Sequence, residues 1–245
     1  MRQEARDRLI FALDVAGFSA AEEWVEKLHK NVGLFKVGKQ LFTRCGPEVV
    51  RMVQDHGGEV FLDLKYHDIP NTVAKAAIEA CKLGVKIFNV HALGGSEMMR
   101  KTVEEVDNYC TSAGVNRPMM LAVTILTSST EETLHEVGID HTVAEMVPRL
   151  AKLAKDSGFD GVVASPKEVA LVREVCGADF AIVTPGVRPT FAALDDQKRV
   201  TTPTDAIAAG ATALVVGRPI SAASDPLEAA GKILLEIEDA LGIND

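Results

Sequence analysis

The chain has 245 residues, of which 47% are hydrophobic and 25% charged, so it can bury a sizeable core, and its length is typical of a (β/α)8 barrel. A formal net charge of −9 argues against a nucleic-acid scaffold, because binding to a phosphate backbone depends on basic patches. No apolar run approaches the roughly 18 residues that a membrane span needs, and the charged amino terminus lacks the apolar stretch of a signal peptide. We therefore expect a cytoplasmic protein that binds neither a membrane nor nucleic acid.

Eight short apolar segments, with helix-like segments between them, predict parallel strands joined by crossover helices. The predicted strands span residues 8–14, 33–38, 59–64, 86–91, 119–124, 160–164, 180–184 and 212–217. Eight such units without a linker favour an α/β fold of the closed (β/α)8 type, a TIM barrel, as a single domain over residues 1–245. An open doubly wound sheet is the alternative, but the Gly-x-Gly-x-x-Gly turn usual after its first strand is missing.

Several predicted helices carry start signals in the sequence. Capping boxes place a Ser or Thr three residues before a Glu, and other starts put a proline in the first turn. The capping boxes are Ser19 with Glu22 and Thr142 with Glu145, and the proline starts are Ile69-Pro70, Thr202-Pro203 and Asp225-Pro226.

Charged residues occur at the carboxyl ends of the first three predicted strands. Asp14 ends the first strand, Lys36 lies in the second, and Asp63 and Lys65 share one face of the third if side chains alternate, with Asp68 in the loop that follows. A strand buried on both sides is normally apolar, so these charges must face a cavity, a ligand or each other. A structural ion pair would explain Asp63 and Lys65 taken alone. Four charges on three successive strands instead favour a polar site at the end of the barrel where active sites lie.

Two later loops complete the predicted site. The seventh strand leads into Thr184-Pro-Gly-Val-Arg188 and a polar, proline-containing stretch through Gln197, which is typical of a lid. The eighth strand leads into Gly217-Arg218-Pro219, in one of the two loops with which barrels commonly bind phosphate. A surface salt bridge is the alternative role for Arg218.

The cysteines and two histidines give no sign of a metal or redox centre. The four cysteines are scattered without a Cys-x-x-Cys pair, so we expect reduced thiols. His67 and His91 lie near the predicted site, but no further His or Cys stands at ligand spacing, so a structural role is favoured for each.

The motifs together resemble one family over the whole chain, the orotidine 5′-phosphate decarboxylases. The resemblance is carried by Asp63-Leu-Lys-Tyr-His-Asp-Ile-Pro-Asn-Thr72, by Lys36-Val-Gly, by Thr184-Pro-Gly-Val-Arg188 and by Gly217-Arg218-Pro219. The Asp-x-Lys-x-x-Asp core is shared with a wider group of barrels that includes a magnesium-dependent ketogulonate-phosphate decarboxylase and hexulose-phosphate synthase. The Ile-Pro-Asn-Thr continuation and the long loop from Arg188 to Gln197 favour the orotidylate enzyme.

The resemblance implies conversion of orotidylate to uridylate and carbon dioxide, the last step of de novo UMP synthesis, by a homodimer without metal or organic cofactor. Lys65 would stabilise the carbanion at C6 of the pyrimidine and protonate it, with Asp63 beside the departing carboxylate and Lys36 between Asp63 and the ribose. Asp68 would act in the partner subunit's site. An ammonium in a dry site suits this chemistry, because the carbanion has no adjacent electron sink.

The resemblance also implies a set of substrate-binding residues. Asp14 would bind the ribose hydroxyls, Thr72 would reach the partner's site, and Thr127 would read the pyrimidine edge. The phosphate would be held by Gln197, Gly217 and Arg218, with Arg188 on the lid.

Two other functions stay open at this stage. One is a magnesium-dependent sugar-phosphate lyase that uses the same acids as metal ligands. The other is a catalytically silent barrel that binds a nucleotide as a regulator.

Overall fold

In a computed structural model that describes residues 2–192 and 201–243, eight parallel strands form a closed barrel in chain order. The strands are β1 Leu9–Ala12, β2 Leu34–Gly38, β3 Glu59–Tyr66, β4 Ile87–His91, β5 Met119–Val123, β6 Gly161–Val163, β7 Ala181–Pro185 and β8 Ala213–Val216. All eight predicted strands are confirmed, and so is the closed barrel rather than the open sheet. The first strand is shorter than predicted and the third is longer.

Every connection between successive strands contains at least one helix, as the alternating pattern predicts, and further helices precede β1 and follow β8. They are α1 Arg2–Asp7, α2 Phe18–Leu28, α3 Lys39–Cys45, α4 Glu48–Asp55, α5 Pro70–Lys82, α6 Gly95–Ala113, α7 Glu131–Glu136, α8 Val143–Asp156, α9 Val169–Cys176, α10 Pro203–Ala208, α11 Arg218–Ser221 and α12 Pro226–Leu241. Within the described ranges, no helix is both long enough and apolar enough to cross a membrane.

Most of the predicted helix starts are confirmed, and one is wrong. Thr142 accepts a hydrogen bond from the backbone N–H of Glu145, and the starts at Pro70, Pro203 and Pro226 are also present. The predicted capping box of Ser19 and Glu22 does not form, because α2 begins at Phe18, two residues earlier than a Ser19 N-cap requires, and its N-cap is Gly17. Ser19 therefore lies inside the first turn, where its hydroxyl is past the N-cap position.

The chain divides into two compact units by its internal contacts. The first comprises the described parts of Met1–Asp63 and Thr184–Asp245, and the second is Leu64–Val183. A single domain over the whole chain stays a prediction.

In the first unit, aromatic packing fixes which side chains face the barrel interior. The Phe11 ring lies 5.4 Å from that of Trp24 on α2 and 6.3 Å from that of Phe35, with ring centroids as reference points. Phe11 and Phe35 therefore face the helices. Since side chains alternate along a strand, the register partners Ala12 and Lys36 face the interior.

The second unit contains most of the cysteines, and they are free thiols, as predicted. Cys81 on α5 and Cys110 on α6 are each only 5% exposed. Burial raises the pKa of the Cys81 thiol to about 12, and the neighbouring Cys110 adds to the shift. These thiols serve the packing of the two helices.

Candidate active site

An ionic cluster of Asp14, Lys36 and Asp63 lies in the first unit. The Lys36 Nζ is 3.1 Å from Asp14 Oδ1 and 3.5 Å from Asp63 Oδ2. The side chains of Lys36 and Asp63 are each 12% exposed, whereas that of Asp14 is 68% exposed. A lysine removed from water to this degree needs opposite charges and hydrogen-bond acceptors, and the two carboxylates supply both.

The register of β2 and β3 and a glycine make room for the ionic cluster. Gly38 is the register partner of Asp63, two residues beyond Lys36 on the interior face. A Cβ at Gly38 would lie 3.2 Å from Lys36 Nζ and 3.7 Å from Asp14 Oδ1. The absence of a side chain therefore leaves space for the ammonium between its partners.

Asp14 does not end β1, as the sequence pattern predicted, but lies two residues beyond it. Leu13 still donates to the carbonyl of Lys36, at 3.0 Å, and the Asp14 N–H then turns back to the carbonyl of Ala12, at 2.9 Å. The chain leaves the sheet through this tight turn. The turn explains why the Asp14 carboxylate contacts Lys36 and is nevertheless largely exposed.

Gly217 and Arg218 follow β8 in the same unit. A Cβ at Gly217 would lie 3.4 Å from the Ala12 Cβ and 3.8 Å from Asp14 Oδ2, so the backbone passes close to the ionic cluster. Arg218, the first residue of α11, is exposed. The structure thus places Gly217, one of the predicted phosphate-binding residues, beside the predicted ribose-binding Asp14, and Arg218 follows Gly217 in the chain.

The predicted lid is described only at its two flanks. The Arg188 N–H donates to the carbonyl of Thr201, at 3.0 Å, and joins them. The backbone N–H and the hydroxyl of Thr190 donate to Glu236 Oε1 of α12, at 3.0 and 2.9 Å. Gln197 belongs to residues 193–200, which lie outside the described residues.

Lys65, near the end of β3, has an unusual backbone conformation. Its φ is +52°, and among residues 2–192 and 201–243 it is the one non-glycine residue with a positive φ. The Lys65 N–H donates to the side-chain Oδ1 of Asn89, at 2.8 Å. Alternation along an extended strand, on which we based a shared face for Asp63 and Lys65, therefore does not set the direction of the Lys65 side chain. Burial raises the pKa of the adjacent Tyr66 to about 12.

Asn89 is the residue that sequence reasoning missed. It is fully buried on β4 between the equally buried Phe88 and Val90. A single amide among the apolar residues Ile87, Phe88 and Val90 was the available signal, since buried polar groups in proteins are normally hydrogen-bonded to something specific.

Three further predicted site residues are exposed in the second unit. They are Asp68 and Thr72, predicted to act across a dimer interface, and Thr127, predicted to contact the pyrimidine edge. Asp68 Oδ1 accepts from the Ile69 N–H, at 2.6 Å, just before α5, and Thr72 lies in the first turn of that helix. Thr127 lies in a turn after β5 that is closed by the Ser129 N–H and the Leu126 carbonyl, at 2.9 Å.

His67 and His91 lie together, with ring centroids 5.5 Å apart and planes tilted by 43°. In the part of the chain that the structure describes, no three His, Cys, Asp or Glu side chains form a group that could hold a metal ion. The structural role expected of the two histidines stays a prediction.

A closed parallel barrel with a charged cluster at the carboxyl ends of β1 to β3 places the protein in the class of (β/α)8 barrels with a polar site at that end. Within this class, the chain belongs to the orotidine 5′-phosphate decarboxylase / HUMPS family, whose family model matches residues 7–233.

Similar proteins agree with this assignment over nearly the full chain. A protein of Syntrophotalea carbinolica named orotidine 5′-phosphate decarboxylase is 66% identical over 241 residues, which are 98% of this chain and 99% of the relative. One of Geotalea daltonii with the same name is 64% identical and covers 96% of this chain and 98% of its own length. The crystal structure of orotidine 5′-phosphate decarboxylase from Lactobacillus acidophilus matches with a TM-score of 0.83 and 42% identity, over 94% of this chain and 98% of that one.

Proposed function

We propose that this protein decarboxylates orotidine 5′-phosphate to uridine 5′-phosphate and carbon dioxide, the last step of de novo UMP synthesis. The observation that carries the proposal is the 66% identity, over nearly the whole of both chains, to a relative that bears this enzyme's name. The ionic cluster of Asp14, Lys36 and Asp63 supports it, because it concentrates charge at the end of the barrel where such enzymes work.

Lys65 is the residue to which we assign the chemistry. The bond between C6 and the carboxylate carbon breaks, carbon dioxide leaves, and the electron pair stays at C6. The Lys65 ammonium stabilises this charge and donates a proton to C6, after which the neutral amine regains a proton from solvent. A preorganised positive charge where negative charge develops is commonly the largest contribution to catalysis. We assign Asp63 a place beside the departing carboxylate.

The ionic cluster would bind the ribose that carries the reacting base. Lys36 is fixed between two carboxylates, so its remaining N–H donor can be offered to the ribose at little entropic cost. Asp14, 68% exposed, can accept from ribose hydroxyls while it keeps its contact with Lys36. Thr127 is assigned to the pyrimidine edge.

The phosphate would lie against the loop after β8. Gly217 brings backbone close to Asp14 without a side chain, and Arg218 is exposed with a guanidinium that matches phosphate oxygens. Arg188 and Gln197 are assigned to the same phosphate on the basis of the family motif.

A homodimer in which Asp68 and Thr72 serve the partner's site is also proposed. Its support is apolar exposure in the segments that follow the neighbouring strands β3, β4 and β5. Ile69, next to Asp68, is 66% exposed, Leu93 44% and Leu126 43%. Side chains of this kind on adjacent loops are typical of a surface that another protein covers. A cytoplasmic location stays a prediction.

The experiment that tests the function follows the absorbance of orotidylate as the protein acts on it, after metal ions have been removed from the protein with a chelator. We expect full activity after exhaustive treatment with EDTA, because the proposed chemistry uses Lys65 rather than a metal ion. Activity that returns only with magnesium would instead support a sugar-phosphate lyase that uses the acids as ligands. Unchanged orotidylate absorbance with folded protein would support a nucleotide-binding barrel without activity.

A further inference from the structure

The backbone of Lys65 is held in a conformation that lysine rarely adopts. A φ of +52° places it in the left-handed region, where a side chain with a Cβ is strained. Such a residue costs on the order of 1–3 kcal/mol and persists only when its surroundings impose it. The surroundings of Lys65 must therefore impose this conformation.

The Oδ1 atom of Asn89 is placed to do so. It accepts the Lys65 N–H at 2.8 Å, so a side chain of β4 fixes the peptide group that precedes the Lys65 Cα. Asn89 has no exposed surface, so water does not compete for this bond from the outside.

The acceptor itself belongs to a rigid element. Asn89 is the register partner of Leu121 on β5, and the pairing of β4 with β5 runs from Ile87 with Met119 to His91 with Val123. Its neighbours Phe88 and Val90 are fully buried. The Asn89 amide thus lies between two fully buried neighbours on a strand paired with β5, and its Oδ1 accepts the Lys65 N–H.

The direction of the Lys65 side chain depends on this backbone angle. A lysine ammonium lies about 6 Å from its Cα, so a rotation of about 20° around the N–Cα bond moves it by roughly 2 Å. A misplacement of about 1 Å in an active site can cost about 100-fold in rate.

We propose that Asn89 is a positioning residue: its buried Oδ1 holds the left-handed backbone of Lys65 and thereby sets where the ammonium points. The chemistry assigned to Lys65 rests on the proposed function, whereas the hydrogen bond and the backbone angle do not. Asn89 itself touches no substrate in this proposal and acts through Lys65.

The first test compares two replacements of nearly equal size. Asn89→Leu removes the acceptor, and Asn89→Asp keeps an acceptor oxygen at the same place. We expect Asn89→Leu to lower kcat for orotidylate by about 10–100-fold with KM changed only a few-fold, and Asn89→Asp to recover much of that loss. Equal kcat in Asn89→Leu and the unchanged protein would overturn the proposal.

A double variant separates positioning from general support of the fold. If Asn89 acts through Lys65, Asn89→Leu causes no further loss of residual turnover in a Lys65→Ala background. Losses that multiply in the double variant would show that Asn89 acts independently of Lys65, and would overturn the proposal.

Hydrogen exchange can be measured without enzymatic activity. It therefore distinguishes a failure of the positioning role proposed for Asn89 from a failure of the proposed function. In Asn89→Leu, hydrogen exchange at the Lys65 amide should become faster while the amides of β5 keep their protection. If the Asn89→Leu protein does not fold, Asn89→Ser, whose shorter side chain does not reach the same point, takes its place. Unchanged protection at Lys65 would overturn the inference even if orotidylate is turned over. A protein without turnover but with faster exchange in the variant would instead refute only the proposed function.

Discussion

At the scale of single residues, Arg218 and Gly217 are the residues to which we assign the substrate's phosphate. The arginine is exposed at the start of a four-residue helix, and the glycine before it lies against Ala12 and Asp14. Binding energy from a remote phosphate can appear in the rate of the reacting step rather than in affinity alone. Substitution in this loop therefore tests whether the phosphate contributes to catalysis.

We expect Arg218→Ala to lower kcat/KM for orotidylate by about 10–100-fold, because hydrogen bonds to charged groups contribute about 1.5–3 kcal/mol. The same change should scarcely affect turnover of orotidine, which has no phosphate. Steady-state kinetics on both substrates measure the difference. Arg51→Ala, at an exposed arginine of α4 that pairs with Glu48, is the matched control and should leave both reactions unchanged. Equal losses on both substrates in Arg218→Ala would show that Arg218 supports the structure instead.

The charged residues of the site could be predicted from the sequence, but the backbone conformation that sets the direction of the Lys65 side chain could not. Charges in apolar strands are conspicuous, so Lys36 and Asp63 were found, and the structure joins them in one cluster. The left-handed φ of Lys65 has no signature in the sequence, because glycine, not lysine, usually marks that conformation. Asn89 was overlooked although its amide stands among apolar residues, because its role depends on that backbone.

At the scale of single elements, β6 shows how closely the strands approach one another. Gly161, the register partner of Ala181, has no room for a side chain. A Cβ there would collide with the Ala181 carbonyl oxygen and lie 2.6 Å from the Ala181 Cβ. Gly231 on α12 is the opposite case, because a Cβ there would meet nothing within 4 Å.

We expect Gly161→Ala to lower the free energy of unfolding by about 1–3 kcal/mol or more, because the two strands must move apart. Gly231→Ala, the matched control, should raise it by up to about 1 kcal/mol, because alanine favours a helix more than glycine does. Urea unfolding followed by circular dichroism measures both changes. Destabilisation of similar size in both variants would contradict the packing described for β6.

The positions of the strands were predictable because buried parallel strands are apolar and helices alternate with them. The boundaries of the strands and helices were less predictable. Nothing in the sequence from Arg8 to Asp14 shows that the strand ends at Ala12, because the turn that frees Asp14 is made by backbone hydrogen bonds. The start of α2 lies two residues earlier than predicted, because Gly17 rather than a side-chain cap precedes it.

At the scale of the whole molecule, the proposed dimer makes each active site depend on two chains. Asp68 is exposed on the loop after β3, and its neighbour Ile69 is 66% exposed. If Asp68 completes the partner's site, a defect in Lys65 and a defect in Asp68 can be separated into different sites of one dimer.

We expect Lys65→Ala and Asp68→Ala proteins, each nearly inactive alone, to regain activity when they are unfolded and refolded together. With random pairing about half the dimers are mixed and each has one intact site, so about a quarter of the unchanged activity should return. Each variant refolded alone is the control. No recovery, with mixed dimers confirmed by native mass spectrometry, would refute the shared site and leave the proposed reaction untouched.

The central claim is that the protein decarboxylates orotidylate after its metal ions have been removed with a chelator, and that a proton from Lys65 replaces the carboxylate at C6. The most direct measurement is proton NMR of the product formed from orotidylate in heavy water. We predict uridylate with deuterium at C6, because an ammonium exchanges its protons with solvent, and in Lys65→Ala we predict product formation at least about 100-fold slower. Orotidylate left unchanged by the folded protein, or uridylate with ordinary hydrogen at C6, would contradict the account.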